Sequence, residues 1–422
     1  MAEVIGLSCL RCGTLYPPDH YAEDCPRCRP LAPSNLAVAY DPSMRTRREG
    51  PTGRGGGLWR YGEVLPVEAA DAVSLAEGGS PLHRLDRLGH AVGMTRLFAK
   101  DETRNPTWSF KDRLACVAVS RARRMGASVI VSSSTGNAGA AAAAYAAKAG
   151  LRCVIFTVQG ASGPMMTQMR AYGATVVAVE NKADRWTLMQ HAVREYGWFP
   201  TSPFFGPAVG SNPYGIEGYK TLAYEIAEQM DWQVPDCCIL PVCYGDALLG
   251  VWRGFDEMRA FGWTDRMPRL FAAEVYGSLS AALARGSGDA LNDMPRTHDT
   301  VATSISATRS TFQALQVIRQ TGGGAVAVGN ADAMRCQRQL ARDEALYVEP
   351  SSATAVAALE SFRRSGKIRE AESVVLLLTA SGLKDPSATE PVLPQPLLVR
   401  GTTETAIAML KEAGVFPASR AP

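Results

Sequence analysis

Residues 105–115 read NPTWSFKDRLA and place one lysine, Lys111, where a strand-like segment gives way to a helical one. The preceding TRLFAK, residues 95–100, is a short apolar run of the kind that forms buried strands. The following RLACVAVSRARRMG has apolar residues at helical spacing. We therefore expect Lys111 to lie at the start of a helix that follows the end of a strand.

The same order of strand and then helix recurs from residue 95 onward. The strand candidates are TRLFAK, SVIVSS, RCVIFTV, TVVAV, DCCILPV, RLFAAEVY and SVVLLLTA, and the helix candidates are RLACVAVSRARRMG, AGAAAAAYAAKAG, GPMMTQMRAYG, GYKTLAYEIAEQM and SATAVAALESFRRSG. Parallel neighbouring strands need a crossover connection, which is usually a helix. The pattern therefore predicts an α/β fold.

Length and charge limit the class of protein. A chain of 422 residues exceeds what one core usually serves, so we expect two domains and a small appendage. The 44 basic and 41 acidic residues nearly cancel and are scattered, which argues against a nucleic-acid or membrane-surface partner. No apolar run has the length of a membrane helix, and the amino terminus lacks a signal-peptide profile. We expect a cytoplasmic enzyme with a small-molecule partner.

Four of the ten cysteines form two C-x2-C pairs near the amino terminus: Cys9, Cys12, Cys25 and Cys28. Two such pairs can close tetrahedrally on one zinc ion, and four thiolates fill its coordination sphere. The pattern predicts a structural zinc ribbon rather than a catalytic metal, and the alternative is four free thiols. The other cysteines lie mostly in apolar segments, as reduced core thiols do.

A polar, glycine-rich stretch follows the cysteines. Residues 41–57, which include SMRTRREG and GRGGG, have the composition of a linker or arm. A phosphate-binding role for GRGGG is disfavoured because no strand precedes it and no helix signal follows it.

Two further junctions of strand and helix carry polar residues, as ligand sites in open α/β sheets do. In SSSTGNAG, residues 132–139, backbone amides and hydroxyls can surround a carboxylate while Asn137 reaches a second polar group. The alternative, helix capping by Ser134 or Thr135, is compatible with binding. In CYGDALLG, which begins at Cys243, the helix start favours a phosphate, and we expect Asp246 to turn away and cap the helix.

Lys111 itself has two readings. A lone lysine is usually exposed, but a cation at a helix amino terminus stands at the unfavourable end of the helix dipole. If the side chain is also buried, its pKa falls, and the neutral amine is then a nucleophile toward an aldehyde. This is the chemistry of a Schiff-base lysine.

The chain resembles the fold type II pyridoxal-phosphate (PLP) enzymes, and among them the threonine synthase family. The resemblance is carried, in the family's order, by the cysteine ribbon, LWRYGEVLPV, EGGSPL, NPTWSFKDR, SSSTGNAG, QMRAYGATVV, NPYGIEGYKT, TGGGAVAV, YVEPSSATAVAAL and LLLTASGLKDP. It implies a tryptophan synthase β-like fold, a homodimer, and two α/β domains with PLP between them. The implied organisation is a zinc ribbon at 1–35, a linker at 36–57, a large domain at 58–112 and 216–422, and a small domain at 113–215.

The resemblance also implies roles for single residues. Lys111 would be the Schiff-base lysine, Asn137 would contact the phenolic oxygen of PLP, and Thr379 would face its pyridine nitrogen. The substrate carboxylate would lie against Ser134 and Thr135, and the phosphate loop would comprise Cys243, Tyr244, Gly245, Asp246 and Ala247. A hydroxyl cannot keep the pyridine nitrogen protonated as a carboxylate would, so the ring is a moderate electron sink. Such a cofactor suits elimination and replacement at the β or γ carbon.

The chain departs from the family pattern where the substrate would bind. Trp108 replaces a glycine, and we expect its ring either to contact the substrate or to fill the core. Val209, Gly210 and Gly215 replace the asparagine, serine and arginine that hold the substrate's phosphate in O-phosphohomoserine. Losing the arginine alone removes a contact worth about 1.5–3 kcal/mol. We conclude that the scaffold is kept while the substrate has changed.

Three functions compete on this basis. The first is a PLP-dependent lyase or synthase that acts on an amino acid other than O-phosphohomoserine, with hydroxide, acetate, phosphate or an amine as the leaving group. The second is an authentic threonine synthase with a rearranged phosphate clamp. The third is a catalytically silent homologue that binds PLP or an amino acid, which the retention of Lys111 disfavours. An α/β enzyme without PLP is the remaining alternative.

Overall fold

The computed structural model describes residues 3–19, 24–46, 57–161, 163–286 and 288–416. The chain divides into two compact units, Met1–Pro386 and Ser387–Pro422. Most of the glycine-rich stretch expected to be a linker, residues 47–56, lies outside the described residues. No described helix is long and apolar enough to cross a membrane.

The described residues form three sheets and their connecting helices, with short 3-10 turns between them. The strands are β1 Val4–Cys9, β2 Leu15–Tyr16, β3 Leu36–Tyr40, β4 Leu82–Arg84, β5 Arg96–Asp101, β6 Val129–Ser133, β7 Arg152–Val158, β8 Thr175–Val179, β9 Phe199–Pro200, β10 Cys237–Pro241, β11 Arg269–Glu274, β12 Gly324–Ala327 and β13 Ser373–Leu378. The helices are α1 Asp86–Val92, α2 Lys111–Arg124, α3 Asn137–Ala149, α4 Pro164–Ala171, α5 Asp184–Tyr196, α6 Pro213–Gln229, α7 Asp246–Phe261, α8 Ser278–Ala284, α9 Phe312–Gln320, α10 Asn330–Glu344, α11 Pro350–Arg364, α12 Pro386–Thr389 and α13 Thr403–Glu412.

The larger sheet has six strands in the order β12-β11-β10-β13-β5-β4. All its neighbours are parallel except β4, which pairs antiparallel with β5 at the edge. The central strands β10 and β13 are buried along their whole length, as the continuous apolar runs CCILP and SVVLLL require. Residues that face opposite sides of this sheet belong to two hydrophobic clusters, so helices cover both faces.

The smaller sheet has four parallel strands in the order β8-β7-β6-β9. Its alanine-rich helix α3 packs on β6 and β7, because small side chains allow a close approach of helix to sheet. Both sheets confirm the α/β fold expected from the alternation of strands and helices. The carboxyl ends of β6 and β13 therefore lead directly into the loops that carry the expected site residues.

The amino-terminal segment forms a three-stranded antiparallel sheet in the order β2-β1-β3. Its third strand is made by residues 36–40, which the sequence places in the linker. The run LAVAY pairs with β1 and packs Leu36 and Val38 in a small core with Leu7. Tyr214 of α6 joins the same core, so this module packs on the body of the chain.

Candidate active site

Lys111 is the first residue of α2, at the position that the sequence predicts. Its half-buried amine lies 4.5 Å from the ring centroid of Phe110 and 5.7 Å from that of Tyr219. Among the described residues, its Nζ atom has no hydrogen bond or ion pair. Burial lowers the pKa of this amine, and the acidic groups of Asp246, Cys243 and Glu349 act in the opposite direction. The predicted direction of the shift is therefore present.

The loop before Lys111 is fixed by the buried carboxyl group of Asp112. This group accepts hydrogen bonds from the backbone amide and the hydroxyl of Thr107, both at 2.7 Å. Burial raises the pKa of Asp112 to about 7. The turn that positions the lysine is therefore closed by a side chain from the helix itself.

Arg113 anchors the first turn of α2 to the rest of the chain. Its fully buried guanidinium bonds to Glu102 and Glu225 at 2.7 Å, and Lys100 bonds to Glu225 at 2.6 Å. Despite the cost of burial, these cations lower the pKa of Glu225. The sequence shows the Asp-Arg pair beside the lysine. It does not show that Arg113 binds Glu102 and Glu225, which lie 11 and 112 residues away.

The loop between β6 of the smaller sheet and α3 carries two of the expected site residues, Ser134 and Asn137. The hydroxyl oxygen of Ser134 accepts hydrogen bonds from the amides of Gly136 at 3.1 Å and Gly139 at 3.0 Å. The capping role considered for Ser134 is therefore present. The side chain of Asn137 is buried, and its Oδ1 atom has no partner among the described residues.

Glu349 faces Asn137 from the end of the segment before α11. Asn137 Nδ2 donates to its Oε2 atom at 3.0 Å, and the hydroxyl of Ser304 donates to the same atom at 3.3 Å. Burial raises the pKa of Glu349 to about 7, although the bonds from Asn137 and Ser304 act in the opposite direction. Sequence reasoning assigned this residue no role. The available signal was its place between a short apolar run and the proline that begins α11.

The loop between β10 and α7 has the geometry of an anion cradle. Gly245 precedes the helix with φ of 82°, and a Cβ atom there would lie 2.4 Å from the Cβ of Ala314. The first amides of a helix lack intrahelical acceptors and point toward such a loop. The prediction that Asp246 caps the helix is wrong. Its carboxylate instead accepts from the hydroxyl of Ser211 at 2.7 Å, because Ser211 offers both that hydroxyl and its amide.

Thr379 follows the last residue of β13 and is buried. Its hydroxyl oxygen lies 2.7 Å from that of Ser352, which also accepts from the amide of Ala380 at 2.9 Å. The polar group at this strand end is thus a hydroxyl held in place by a second hydroxyl.

One cavity of about 830 Å³ connects these junctions. Among its lining residues are most of those that the sequence predicted: Lys111, Ser134, Thr135, Asn137, Cys243, Tyr244, Gly245, Asp246, Ala247 and Thr379. Trp108 is not among the lining residues, and 45% of its surface is exposed. The cavity has the volume typical of cofactor sites.

The four amino-terminal cysteines also converge. Their Sγ atoms all lie within 4.8 Å of one another, with 3.8 Å between Cys9 and Cys28 and 3.7 Å between Cys12 and Cys25. A tetrahedral zinc ion with bonds of about 2.3 Å requires sulfur atoms about 3.8 Å apart. The cluster can therefore hold a metal ion.

Comparison with known proteins identifies the family. The model of a family described as pyridoxal-phosphate dependent enzyme matches residues 73–380. The chain belongs to this family. It is 35% identical over 404 residues to a threonine synthase of Methanosarcina acetivorans, covering 93% of this chain and 95% of that one. It is 34% identical over 415 residues to a threonine synthase of Methanocaldococcus jannaschii, covering 96% of this chain and 99% of that one.

Solved structures support the fold. Maize serine racemase superposes with a TM-score of 0.63 at 20% identity, covering 74% of this chain and 91% of that one. An L-serine ammonia-lyase of Rhizomucor miehei superposes with a TM-score of 0.62 at 20% identity, covering 76% of this chain and 98% of that one. The fold is that of the type II PLP enzymes, and the expected resemblance to the threonine synthase family is confirmed.

Proposed function

We propose that this protein is a PLP-dependent lyase or synthase that catalyses β- or γ-elimination or replacement on an amino acid. The observation that carries the proposal is a single cavity lined both by the Lys111 amine, which has no hydrogen-bond partner among the described residues, and by the strand-end hydroxyl of Thr379. Bound PLP would supply an electron sink at the α carbon, and a hydroxyl at its pyridine nitrogen keeps that sink moderate.

The residues of the cavity fit the cofactor. Lys111 would hold it covalently, and the amides at the start of α7 would hold its phosphate. The unpartnered Oδ1 atom of Asn137 marks a place for a further polar group beside Glu349. Thr379 offers the hydroxyl expected at the pyridine nitrogen.

The amine of Lys111 is also suited to move protons. Burial lowers its pKa, so a larger fraction is neutral near pH 7 and can accept a proton from a substrate carbon. The amine contacts two aromatic rings, and these rings do not hold it in a strong hydrogen bond that would compete with the substrate for it.

We further propose that O-phosphohomoserine is not the substrate. A Cβ atom at Gly215 would lie 2.8 Å from Leu114 Cγ, so this position is taken up by packing of α6 on α2. Val209 and Gly210, which replace two other members of the phosphate clamp, bring no polar side chain. Authentic threonine synthase activity is the second candidate, and it is favoured by relatives of that name that match nearly the full length of the chain.

Two measurements test the proposal. Borohydride reduction of the protein with PLP should label Lys111, and Lys111→Ala should abolish the label, whereas Lys148→Ala, at an exposed position of α3, should leave it intact. A label on a lysine other than Lys111 would show that PLP is not bound in this cavity. Release of phosphate and threonine from O-phosphohomoserine should be absent or slow, and robust turnover would favour authentic threonine synthase.

Three other expectations remain proposals. We propose that the cysteine cluster binds a structural zinc ion, that the chain forms a homodimer and that it acts in the cytoplasm. The division into a large and a small domain likewise remains a prediction, although the two larger sheets fall in the ranges assigned to them.

A further inference from the structure

Lys384 is a buried cation to which neither the family resemblance nor the proposed chemistry gives a role. It is the last residue of the 3-10 turn Gly382–Lys384, which follows the carboxyl end of β13, and it is fully buried. Among the described residues it forms no ion pair. Its Nζ atom instead donates to two neutral acceptors, the carbonyl oxygen of Thr107 at 2.9 Å and the Oε1 atom of Gln168. A buried cation is costly unless its hydrogen bonds are made, so these two contacts fix its position.

The first contact holds the turn that leads into Lys111. Thr107 lies in this turn and is fully buried. Its amide and its hydroxyl donate to Asp112, and its carbonyl oxygen accepts from Lys384. The amide of Phe110, at the end of the same turn, donates to the loop after β13 at 2.8 Å. Lys384 therefore belongs to the set of bonds that fixes where α2 and Lys111 begin.

The second contact reaches α4, which supports the loop between β6 and α3. Gln168 is half-buried on this helix, and Met165 and Met169 of the same helix lie against the loop. A Cβ atom at Gly136 would lie 3.3 Å from the Sδ atom of Met165, and one at Gly139 would lie 2.6 Å from the Cε atom of Met169. The backbone of the loop expected to receive the substrate carboxylate therefore packs directly on α4.

The charge of Lys384 strengthens both contacts. Burial lowers the pKa of Lys384 to about 8, and the carboxyl groups of Asp112 and Glu349 act in the opposite direction. The amine is therefore mostly protonated at neutral pH. Hydrogen bonds from a charged donor are roughly twice as strong as those between neutral groups. One side chain thus joins two segments that lie 277 and 216 residues away from it in the sequence.

We propose that Lys384 is a positioning residue, which acts through Thr107 and Gln168 to set the place of the loop between β6 and α3 relative to the amine of Lys111. This inference rests on the proposed function. In that reaction the amino acid lies with its carboxylate against the loop and with its α carbon within reach of Lys111. Both contacts are made only if the loop and the lysine are held at the right distance from each other.

Amide hydrogen exchange in the cofactor-free protein tests the link itself. The amides of Thr107 and Gly139 are both hydrogen-bonded, so opening of either segment makes their exchange faster. Gln168→Leu removes the acceptor on α4. We expect exchange to become about tenfold faster both in residues 105–110 and in the loop between β6 and α3. Thr167→Leu, at an exposed position of the same helix, is the matched control and should change neither segment.

Binding to the PLP-loaded protein tests the consequence for the substrate. L-Serine and L-homoserine are the probes, and the absorbance of bound PLP reports their affinity. Gln168→Leu and Lys384→Met should each weaken amino-acid binding about tenfold, because the loop and Lys111 are no longer held at a fixed distance. The affinity for PLP itself should fall less than about threefold. Gln168→Glu keeps an acceptor for the ammonium group and should bind the probes as the wild type does.

The outcomes separate this inference from the proposed function. The double variant Gln168→Leu/Lys384→Met should bind the probes no more weakly than Lys384→Met, because Lys384→Met already removes the bond to Gln168. Additive losses would overturn the positioning role, and so would a loss in Gln168→Glu as large as that in Gln168→Leu. Exchange that rises only beside the substituted residue would do the same. If neither amino acid changes the absorbance of bound PLP, the proposed function fails, and amide exchange still decides whether Lys384 links the two segments.

Discussion

At the scale of single residues, Trp108 has a side chain that its backbone conformation disfavours. Its φ is 65°, in the left-handed region, and 45% of its surface is exposed. A non-glycine residue in this region costs about 1–2 kcal/mol. The glycine that the family resemblance implies at this position would have no such cost, so Trp108 carries backbone strain close to Lys111.

This strain can be measured with a pair of variants. Trp108→Gly should have a free energy of unfolding about 1 kcal/mol higher than Trp108→Ala, because both lose the ring but only glycine relieves the strain. Urea unfolding gives both values. At Leu188, inside α5, the order should reverse, with alanine about 1 kcal/mol above glycine. Equal stabilities at position 108 would contradict the strain.

Glu349 should make stability depend on pH. Burial raises its pKa from 4.5 to about 7, so the folded protein binds this proton more tightly than the unfolded chain does. Stability due to this group is therefore present below pH 4.5 and is lost as pH rises to about 7. Glu349→Gln should be more stable than the wild type at pH 8, by up to about 3 kcal/mol, and nearly equal to it at pH 4.

Unfolding of the cofactor-free protein at several pH values tests this expectation. Glu370→Gln, at an exposed position, is the matched control. If the difference in the free energy of unfolding between Glu349→Gln and the wild type is the same at every pH, ionising the buried carboxyl group does not destabilise the folded protein.

At the scale of elements, α2 and α6 cross at a distance that only glycine allows. A Cβ atom at Gly218 would lie 1.8 Å from the carbonyl oxygen of Arg113. Gly218→Ala should therefore lower the free energy of unfolding by about 3 kcal/mol, because the helices must separate and disturb the ion cluster of Arg113. Gly329→Ala, with no atom within 4 Å of its Cβ, should cost at most about 1 kcal/mol. Similar small costs for both would contradict the tight crossing.

The elements also show how far sequence patterns reach. The seven predicted strands are present, because buried parallel strands are continuous apolar runs. Helix α6 begins at Pro213, five residues before the predicted GYKTLAYEIAEQM, because Asn212 caps it by accepting from the amides of Tyr214 and Gly215. The sequence assigns residues 36–40 to a linker, but they form β3, because they pair with β1, which is distant in sequence.

At the scale of the whole molecule, the amino-terminal module is connected to the cavity through a short series of contacts. Asn35 donates to the carbonyl oxygen of Ser211 at 3.0 Å, and Tyr40 donates to Glu217 at 2.7 Å. Ser211 in turn holds Asp246 in the loop expected to bind the cofactor's phosphate. A loss of structure in the amino-terminal cysteine module should therefore weaken binding at the cofactor site.

The zinc ion proposed for the cysteine cluster offers a test of this connection. A chelator, or Cys25→Ser, should weaken PLP binding several-fold, because loss of a structural metal loosens the module that supports Ser211. Absorbance titration with PLP gives the affinity. Cys153→Ser, which changes a buried thiol of the four-stranded sheet away from the cluster, is the control. An unchanged affinity after metal removal would show that the module is independent of the site.

The sequence by itself determined the α/β class, the start of α2 at Lys111 and the clustering of four cysteines, because these depend on local periodicity and short spacings. It also predicted ten of the residues that line the cavity, because ligand sites in open α/β sheets lie in the loops that follow strands. Only the tertiary structure decided which side chains meet, such as Arg113 with Glu225 and Asn137 with Glu349. Such contacts join residues far apart in the chain, and their distances and charges exist only after the chain has folded.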